Sequence, residues 1–440
     1  MMNITIEAIK ILTRLTNAQI DYVLIRNFDC LIKNKPYTEK DIDILILRKD
    51  CIKMTQLMQA EGFKKLWICP SAGHIGFAKY IDGKFLSFHY HVGGVAGSNI
   101  PYLNAEQLLL RKQQKNQINI VSDEDKFLAI LLHSVLDGNK IKQRYSCELN
   151  RLIKHNLDWE YIKSTLNSKL ASHLVQKIIV YLQQNNYARI EKIIPRIQEN
   201  FKYGKLSRRM QLLKSNLHKY LWFAWRLTKN APLVSFIGMD GTGKTTMTNL
   251  LKEKLDRSLI TNELIYTGRG RNNILPIQFF AKPFVSKTVN IGNQNEHKTD
   301  KQNKSEKTGI IQKILCTLSA PIFAFDLLLR YWLVILPKRK TKQIVLTDRY
   351  STDILLMKDV PMILKRIMFA FFPRPTITIY LYNTPKTLHK RKPDHPLGDL
   401  YRQQKIFVKI NRMIQPKKIK SDRIDWTSGL ITEVVSNTLI

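Results

Sequence analysis

Within the first 200 residues, the pattern of apolar and polar positions changes from strand-like to helical along the chain. This change predicts a small sheet joined to helices. Alternation with a short apolar run predicts strands at 22–26 and 42–47, whereas spacings of three or four over 105–200, with few Gly or Pro, predict a helical subdomain. An amphipathic helix is expected before the first strand, with these apolar positions: Ile6, Ile9, Leu12 and Leu15.

The second half alternates short apolar runs with amphipathic segments. Strands are predicted at 233–238, 343–348 and 376–382, and a helix is predicted at 247–255. Strands separated by helices are typical of a parallel sheet covered by helices. The fold class predicted for the whole chain is therefore α/β.

Residues 201–230 contain eight Lys or Arg and no Asp or Glu. Their apolar positions fall on one stripe, which predicts a basic amphipathic helix. A linker helix packed between domains is favoured, and a helix lying on an anionic membrane is the alternative. The stripe consists of Met210, Leu213, Leu217, Leu221, Ala224 and Leu227, flanked by Arg208, Arg209, Lys214, Lys219, Arg226 and Lys229.

Two further segments stand out by composition. Residues 309–337 are apolar but interrupted by Lys313, Asp326 and Arg330, so we expect a buried or interfacial helix instead of a membrane-spanning one. Residues 291–307 are rich in Asn, Gln, Lys and Glu, which predicts a flexible insertion or lid at about 285–309.

The chain has 440 residues and a formal net charge of +36, which favours an anionic partner. Five widely spaced cysteines without a Cys-x-x-Cys pair argue against a disulfide framework and a zinc-thiolate site. The first residues lack the pattern of a secretory signal. We expect a cytoplasmic protein, with peripheral contact at the inner membrane face as an option.

The motif from Gly238 to Thr246 carries the clearest chemistry. An apolar strand runs into G-x-x-x-x-G-K-T and then into a helix, the context of a phosphate-binding loop. Its backbone amides would converge on phosphate oxygens, Lys244 would reach the β- and γ-phosphates, and the Thr245 hydroxyl would ligate Mg²⁺. The predicted nucleotide-binding residues are Gly238, Asp240, Gly241, Thr242, Gly243, Lys244, Thr245 and Thr246.

Three downstream side chains complete the predicted catalytic set with Lys244. Asp348 ends the second apolar strand, where a carboxylate would help to hold Mg²⁺, and the neighbouring Arg349 would clamp an acceptor anion. A helix after the third strand carries Lys390, Arg391 and Lys392, which would close over the transferring phosphoryl group as a lid. A solvated basic helix is the alternative.

These motifs make residues 231–440 similar to the thymidylate kinase-like branch of the nucleoside monophosphate kinases. The resemblance rests on Gly-Met-Asp-Gly-Thr-Gly-Lys-Thr-Thr, Asp-Arg-Tyr at a strand end, and the segment from Pro373 to Lys392. It implies a P-loop kinase that uses ATP and Mg²⁺, with Asp348 and Arg349 at the metal and acceptor, and Arg391 near the lid.

Residues 265–269 read Ile-Tyr-Thr-Gly-Arg at the place where thymidylate kinases carry Arg-Glu-Pro after the second strand of their fold, and only Arg269 remains of that motif. Asp-Arg-Tyr-x-x-Asp, Pro-Arg-Pro and Gln403-Gln404 resemble relatives in bacterial surface-polysaccharide pathways. The acceptor implied is a sugar, glycan or lipid-linked sugar. Phosphorylation of dTMP is the alternative.

In the first half, Asp41 and Asp43 lie two residues apart on a strand and so face the same way. Two such carboxylates could hold Mg²⁺ for nucleotidyl transfer, although Asp-x-Asp is also a common pattern. With Gly62-Phe63 and Ser87-Phe-His89-Tyr-His91, the segment resembles a bacterial type of nucleotidyltransferase fold. Asn27 replaces the usual glycine and Ser87 the third carboxylate; His89 or His91 is either a substitute base or a structural histidine.

Together these observations predict three parts: a nucleotidyltransferase-like domain with a mixed sheet (1–200), a basic linker helix (201–230) and a P-loop kinase domain (231–440). The predicted activity is ATP- and Mg²⁺-dependent phosphoryl transfer to an anionic or glycan acceptor. An ATP-switched regulator or nucleic-acid-binding protein is a further alternative, but no nucleic-acid-binding motif supports it. The sequence does not indicate the oligomeric state.

Overall fold

The computed structural model describes residues 2–69, 73–97, 100–138, 140–201, 208–268, 273–276, 302–357 and 359–439. Two compact units divide the chain. The first comprises Met1–Trp225, Arg257–Leu259 and Ile440, and the second comprises Arg226–Asp256 and Ile260–Leu439. Both units are α/β: one contains a mixed sheet and the other a parallel sheet flanked by helices.

The first unit contains a seven-stranded sheet in the order β3-β4-β5-β2-β1-β9-β8, so its sheet is larger than predicted. The pairs β2–β5 and β1–β9 are parallel and the other pairs are antiparallel. The strands are β1 Tyr22–Arg26, β2 Ile42–Ile46, β3 Lys64–Leu66, β4 His74–Ile81, β5 Lys84–Val92, β8 Gln113–Lys115 and β9 Ile118–Ile120; a separate hairpin is formed by β6 Gly94–Gly97 and β7 Ile100–Asn104.

Helices cover this sheet and bury its central strands, since every residue of β1 and β2 is buried. The helices are α1 Met2–Asn17, α2 Asp29–Ile32, α3 Cys51–Ala60, α4 Ala105–Leu110, α5 Asp123–Leu136, α6 Gln143–Ile153, α7 Trp159–Asn167, α8 Ser172–Gln183 and α9 Tyr187–Asn200. The strong apolar character of α5 reflects its position in the core, where Phe127, Leu128 and Leu131 are buried.

The prediction that 105–200 is helical is wrong for the β8–β9 hairpin. Its turn residues Asn116 and Gln117 both have positive φ, 49° and 64°. Two left-handed residues in succession match the twist of a tight hairpin, and Asn tolerates that conformation well. Because β8 consists of exposed Gln and Lys at the sheet edge, it carries no apolar alternation that could have revealed it.

The second unit contains a five-stranded parallel sheet in the order β11-β12-β10-β13-β14. Its strands are β10 Leu233–Gly238, β11 Asn262–Tyr266, β12 Ile344–Asp348, β13 Ile377–Tyr382 and β14 Lys417–Lys420. All residues of β10 and β12 are buried, as expected for a parallel sheet with helices on both faces. The three predicted strands of this half are confirmed within one residue at their ends.

The helices of this unit lie between and after its strands. They are α11 Lys244–Asp256, α12 Gln302–Arg330 with a π-helical turn at Tyr331–Ile335, α13 Leu336–Thr341, α14 Thr352–Leu355, α15 Met362–Ala370, α16 Pro385–Arg391, α17 Leu397–Ile414 and α18 Ile424–Ser436. Of the predicted insertion, 285–301 lie outside the described residues. Residues 302–309 instead begin α12, because Gln, Lys and Glu are good helix formers.

Within the described residues, one helical segment is long and apolar enough to cross a membrane by length and composition alone. It is the helical segment Cys316–Thr341, with a mean hydropathy of 1.6 over its most apolar window. About 39% of that window is buried within the protein. Residues 309–337, for which a buried or interfacial helix was predicted, lie within this helical region, which begins at Gln302 and ends at Thr341.

The basic amphipathic segment forms helix α10, Arg208–Thr228, and the division between the units falls inside it. Its apolar stripe is not covered: Leu217 is 57% exposed and Leu221 is 60% exposed. Arg226, one of the six cations named beside the stripe, differs from exposed Lys219. Arg226 is fully buried and donates to the carbonyl oxygens of Lys229 and Lys342.

We predict that Arg226→Met destabilises the second unit by about 1–3 kcal/mol, because it leaves buried carbonyl oxygens without donors. Urea unfolding of the full chain should show a lower midpoint for the transition of this unit. Lys219→Met, on an exposed cation of the same helix, is the matched control and should leave the midpoint unchanged. Equal midpoints for the two variants would contradict the anchoring role.

Candidate functional site

The loop between β10 and α11 lies at a crossing point of the parallel sheet. Strand β10 has β12 on one side and β13 on the other, so the chain leaves the end of β10 where the strand order reverses. A crevice forms at such a point at the carboxyl ends of the strands, and ligands bind there in open parallel sheets. The topology thus places the predicted phosphate-binding loop at the favoured binding position.

Two glycines are required for the path of this loop. Gly238 has a φ of 154°, and a Cβ atom on it would lie 2.3 Å from the Leu381 carbonyl oxygen of β13. Gly241 has a φ of 85°, and its Cβ would meet the Leu388 carbonyl oxygen at 3.2 Å. The loop therefore packs tightly against β13 and α16, and side chains at either position would displace it.

Lys244 is the first residue of α11, and its ammonium group turns back into the loop. The Nζ atom donates to the carbonyl oxygens of Gly238 and Met239, each at 2.9 Å. Burial, together with the positive charge of Arg349, lowers the pKa of Lys244 to about 8. Besides these carbonyl oxygens, the Lys244 ammonium group has the Asp240 carboxylate 3.8 Å away. A bound anion would stabilise this buried positive charge further.

Thr245 and Asp348 come together at the ends of α11 and β12. The Thr245 hydroxyl donates to Asp348 Oδ2 at 2.6 Å. Asp348 is 2% exposed, and its other oxygen, Oδ1, has no hydrogen-bond partner in the described part of the chain. A buried carboxylate oxygen without a partner is costly, and a divalent cation would satisfy it. The pair predicted as a metal site is therefore assembled here.

Arg349 follows Asp348 and adopts a positive φ of 70°. Its guanidinium donates to Asp240 at 2.8 Å and to Asp353 at 3.5 Å. Burial opposes its charge, but Asp353 and Asp240 outweigh that effect and raise the pKa of Arg349. Burial alone would raise the pKa of the Asp240 carboxyl group. The positive charges of Lys244 and Arg349 outweigh burial, so the pKa of Asp240 is lowered.

The other predicted loop residues have distinct positions. Thr242 is buried and its hydroxyl donates to the Met239 carbonyl at 2.7 Å, so its side chain braces the loop. Gly243 has a φ of 81° and open space around it, and Thr246 is exposed on α11. Asp240 also receives a hydrogen bond from the Gln403 amide at 3.3 Å, which connects the loop to α17.

Arg391 ends helix α16, and its guanidinium donates to the Ser421 hydroxyl and the Asp422 carbonyl, both at 3.4 Å. The same helix end approaches the loop, because a Cβ on Gly241 would lie 3.7 Å from the Lys392 Cβ. The predicted lid cations thus begin where α16 contacts the loop. Arg269, the predicted remnant of the Arg-Glu-Pro motif, lies outside the described residues.

Sequence reasoning treated Asp326 and Arg330 only as interruptions of an apolar stretch, and the structure gives them a positioning role. Both are buried in α12, and Arg330 Nε donates to Asp326 at 2.7 Å. Asp326 accepts from the amides of Ile274 and Leu275, each at 2.8 Å, while Arg330 donates to the Gly268 carbonyl. The i, i+4 spacing of the two residues indicates that they can pair on one helix. It does not reveal their backbone partners, which are distant in sequence.

A cavity of about 380 Å³ opens beside Asp240 and Arg349. Its apolar wall comes from α12 and from the segment after α14, and its polar wall comes from α17. The lining includes Ala320, Phe323, Leu356, Met357 and Val360 on the apolar side, and Asp240, Arg349, Asp359, Asp399, Arg402 and Gln403 on the polar side. A small polar molecule fits this volume.

The first unit holds a second cluster around Asp43 of β2. Register places Asp43 beside Arg26 of β1 and His89 of β5. One carboxylate oxygen contacts Arg26 Nη2 at 3.2 Å, and the other contacts His89 Nδ1 and His91 Nε2, each at 3.1 Å. Asp43 is therefore enclosed by three basic side chains.

The pKa values of the carboxyl groups in this cluster shift in opposite directions, and those of two histidines are lowered. Burial and the Asp43 charge raise the pKa of Asp41 to about 6. Burial opposes ionisation of Asp43, but Arg26 and the two histidines overcome it and hold its pKa well below the usual value. Burial lowers the pKa of His91 to about 4, and burial with the neighbouring histidines lowers that of His74 to about 3.

Two residues noted in the sequence lie in this unit. Ser87 is fully buried on β5, two residues before His89, and supplies a hydroxyl in place of the third carboxylate. Asn27 has a φ of 61°, the left-handed conformation that a glycine would adopt there most easily. His74 was not singled out from the sequence, because its proximity depends on the pairing of β4 with β5.

The chain matches no protein-family model, and no curated protein is significantly similar to it.

We predict that Asp41→Asn stabilises the first unit at pH 8 but not at pH 4. The pKa of Asp41 is raised when folded, so its contribution to stability is present at low pH and is lost as the pH rises through about 6. Removal of the Asp41 charge should therefore increase the free energy of unfolding of the first unit by up to about 3 kcal/mol above that pH. Urea unfolding at several pH values, with EDTA present, measures this difference. Asp21→Asn, on a more exposed carboxylate, is the control. A gain that is equal at both pH values would contradict the assignment.

Proposed function

We propose that the second unit is an ATP- and Mg²⁺-dependent phosphotransferase of the thymidylate kinase-like P-loop class. The observation that carries this proposal is the grouping of Lys244, Thr245 and Asp348 at the carboxyl end of the central strands. The acceptor that the site favours is a hydroxyl group of a sugar, a glycan or a lipid-linked sugar.

The loop supplies the binding site for the ATP phosphates. Backbone amides at the start of a 13-residue helix attract anions, because they are unpaired and the helix dipole adds positive potential. Lys244 exchanges its two carbonyl contacts for β- and γ-phosphate oxygens. A bound phosphate also favours the charged ammonium form, which offsets the effect of burial on Lys244.

The residues at the loop fit Mg²⁺. Asp348 Oδ1 is a buried oxygen without a partner, and the Thr245 hydroxyl is 2.6 Å from the other oxygen of the same carboxylate. Thr245 and Asp348 would hold the ion, directly or through water. When bound, the ion would neutralise charge on the phosphate oxygens.

The cavity beside Arg349 favours a neutral hydroxyl acceptor over a phosphate monoester. Its two arginines are already paired, Arg349 with Asp240 and Arg402 with Asp399 at 2.9 Å. Its described lining contains three carboxylates and two guanidinium groups. Carboxylates accept hydrogen bonds from sugar hydroxyls, whereas a second phosphate would need to displace them.

In the transfer, an acceptor oxygen attacks the γ-phosphorus, the bond to the β-γ bridging oxygen breaks, and ADP leaves. The proton of the acceptor hydroxyl is lost to solvent or to a cavity carboxylate. Lys244 and Arg349 stabilise the charge that develops on the phosphoryl oxygens, and the basic end of α16 lies next to the loop at Gly241.

For the first unit we propose the nucleotidyltransferase-like fold indicated by the sequence, without assigning it an activity. The support is the mixed sheet with Asp43 on a central strand and the helices that follow. Asp41 and Asp43 are a poor fit to a Mg²⁺ pair, because both Asp43 oxygens already contact basic side chains. We therefore derive no transfer step there.

Peripheral contact with an anionic membrane is part of the proposal and is supported by α10. Its exposed apolar side chains lie on a helix that contains no acidic residue. The exposed large side chains are Leu213, Leu217, Tyr220, Leu221, Phe223, Trp225 and Leu227. A basic helix with an uncovered apolar face partitions into the interface of an anionic bilayer. A membrane-bound enzyme would meet a lipid-linked acceptor directly.

We predict that Lys244→Ala lowers ATP-dependent phosphoryl transfer at least ~100-fold, because it removes a buried cation from the transferring phosphate. Transfer of label from γ-labelled ATP to sugars, lipid-linked sugars and nucleoside monophosphates measures the effect. The matched control is Lys252→Ala, on an exposed lysine of the same helix, which should retain activity.

An unchanged rate in Lys244→Ala with every acceptor would refute the kinase assignment. Faster transfer to dTMP than to any sugar would reject the hydroxyl acceptor while leaving the kinase class intact.

We predict that the full chain binds vesicles containing phosphatidylglycerol more strongly than vesicles of phosphatidylcholine alone. The double substitution Leu217→Gln with Leu221→Gln should weaken binding at least tenfold, since burial of each leucine contributes roughly 1.5–3 kcal/mol. Sedimentation with vesicles provides the measurement. Leu110→Gln, on an exposed leucine of α4, is the control, and an equal loss in the control would contradict the role of α10.

A further inference from the structure

A group of three histidines lies on adjacent strands of the first unit. His89 and His91 are two residues apart on β5 and so face the same side of the sheet, and His74 of β4 is paired directly with His91. Their ring centroids are 4.6–4.8 Å apart. Each ring offers a nitrogen, and these three nitrogens lie within 4.8 Å of one another.

Buried histidines are usually satisfied by hydrogen bonds, and two other histidines of this unit contact carboxylates. His133 contacts Asp137 at 3.0 Å, and His155 contacts Asp123 at 2.8 Å. In the cluster, by contrast, the Nδ1 atoms of His74 and His91 are buried without a hydrogen-bond partner in the described part of the chain. His91 is only 2% exposed, so water does not readily satisfy its nitrogen.

Asp43 determines which nitrogen of each ring carries the proton. An ionised carboxylate only accepts, so His89 Nδ1 and His91 Nε2 must donate to Asp43. The opposite nitrogen of each neutral ring then presents a lone pair. A carboxylate that orients histidines in this way is the usual support behind metal-binding imidazoles.

We propose that His74, His89 and His91 form a binding site for a divalent transition-metal ion such as Zn²⁺. Imidazole nitrogen suits Zn²⁺ and its neighbours in the first transition series, whereas Mg²⁺ prefers oxygen ligands. Zinc holds its nitrogen ligands at about 2.0–2.1 Å, which places them about 3.3 Å apart in a tetrahedron. The present separations reach 4.8 Å, so binding requires the three rings to draw together.

Asp41 is the candidate for a fourth ligand. Its carboxylate lies 3.8 Å from Nδ1 of the His89 ring, the nitrogen that donates to Asp43, so Asp41 lies beside this ring and its side chain would approach the ion bound at the opposite nitrogen. Arg26 neutralises the charge of Asp43, so Asp41 supplies the net negative charge that a divalent cation requires. The ion therefore differs from the Mg²⁺ predicted from Asp41 and Asp43, and the histidines become its main ligands.

The experiment uses the full chain after treatment with EDTA, with excess Mg²⁺ present throughout to occupy the site at Thr245 and Asp348. Zn²⁺ is titrated in competition with a chromophoric chelator, and Co²⁺ serves as the spectroscopic probe. We expect one ion to bind with an affinity that Mg²⁺ does not reduce, and the Co²⁺ complex to show the visible bands of nitrogen and oxygen ligation.

His89→Gln and His74→Asn should each weaken Zn²⁺ binding at least about 100-fold. These side chains are less buried than His91, so both variants are chosen to retain the fold; circular dichroism without metal verifies this. His155→Gln is the matched control and should bind as the original chain does.

Three results would overturn the proposal. They are equal zinc affinity in the folded His89→Gln and His74→Asn variants, displacement of the ion by Mg²⁺, and a cobalt spectrum with thiolate charge-transfer bands. The last result would assign the ion to one of the free cysteines. None of these outcomes bears on phosphoryl transfer in the second unit.

Discussion

The crossing of the chain at the carboxyl end of β10 is the constraint on which the arrangement of the second unit depends. Because β12 and β13 flank β10 in parallel, the ends of three strands meet in one place. The close approach of Gly238 to β13 fixes the loop there, and the loop in turn orients Lys244. Asp348 then needs only to end β12 in register with Phe236 to reach the first turn of α11.

Local patterns allowed much of this site to be predicted, since Gly238, Lys244 and Asp348 lie within or directly after apolar strands. The roles of Asp326, Arg330 and Gln403 could not be predicted, because their partners lie far away in sequence. Strand β14 was missed for another reason: its sequence, Lys-Lys-Ile-Lys, has a single buried residue. The P-loop kinase fold and the ligands of both units remain proposals.

The two clusters use buried charge in different ways. In the second unit, the cations Lys244 and Arg349 both face carboxylates. Positive and negative groups are therefore adjacent, and the cations can exchange their contacts within the protein for contacts with a phosphate. In the first unit, the Asp43 carboxylate contacts Arg26 and two histidines. The atoms that remain able to bind a ligand are therefore ring nitrogens instead of carboxylate oxygens. The difference follows from register: β2 and β5 bring Asp43 beside histidine, whereas β10 and β12 bring Asp348 beside Thr245 of α11.

The buried pair Asp326–Arg330 limits what helix α12 can do in a lipid environment. The segment has the composition of a membrane span, yet both charges lie within it and hold the backbone at Gly268, Ile274 and Leu275. Insertion across a bilayer would carry an aspartate and an arginine into hydrocarbon, at a cost of several kcal/mol each, and would strip donors and acceptors from the neighbouring segment. Leu318, Phe325 and Trp332 are exposed on the same segment, so a contact along a lipid surface is compatible with the buried pair, whereas a span across the bilayer is not.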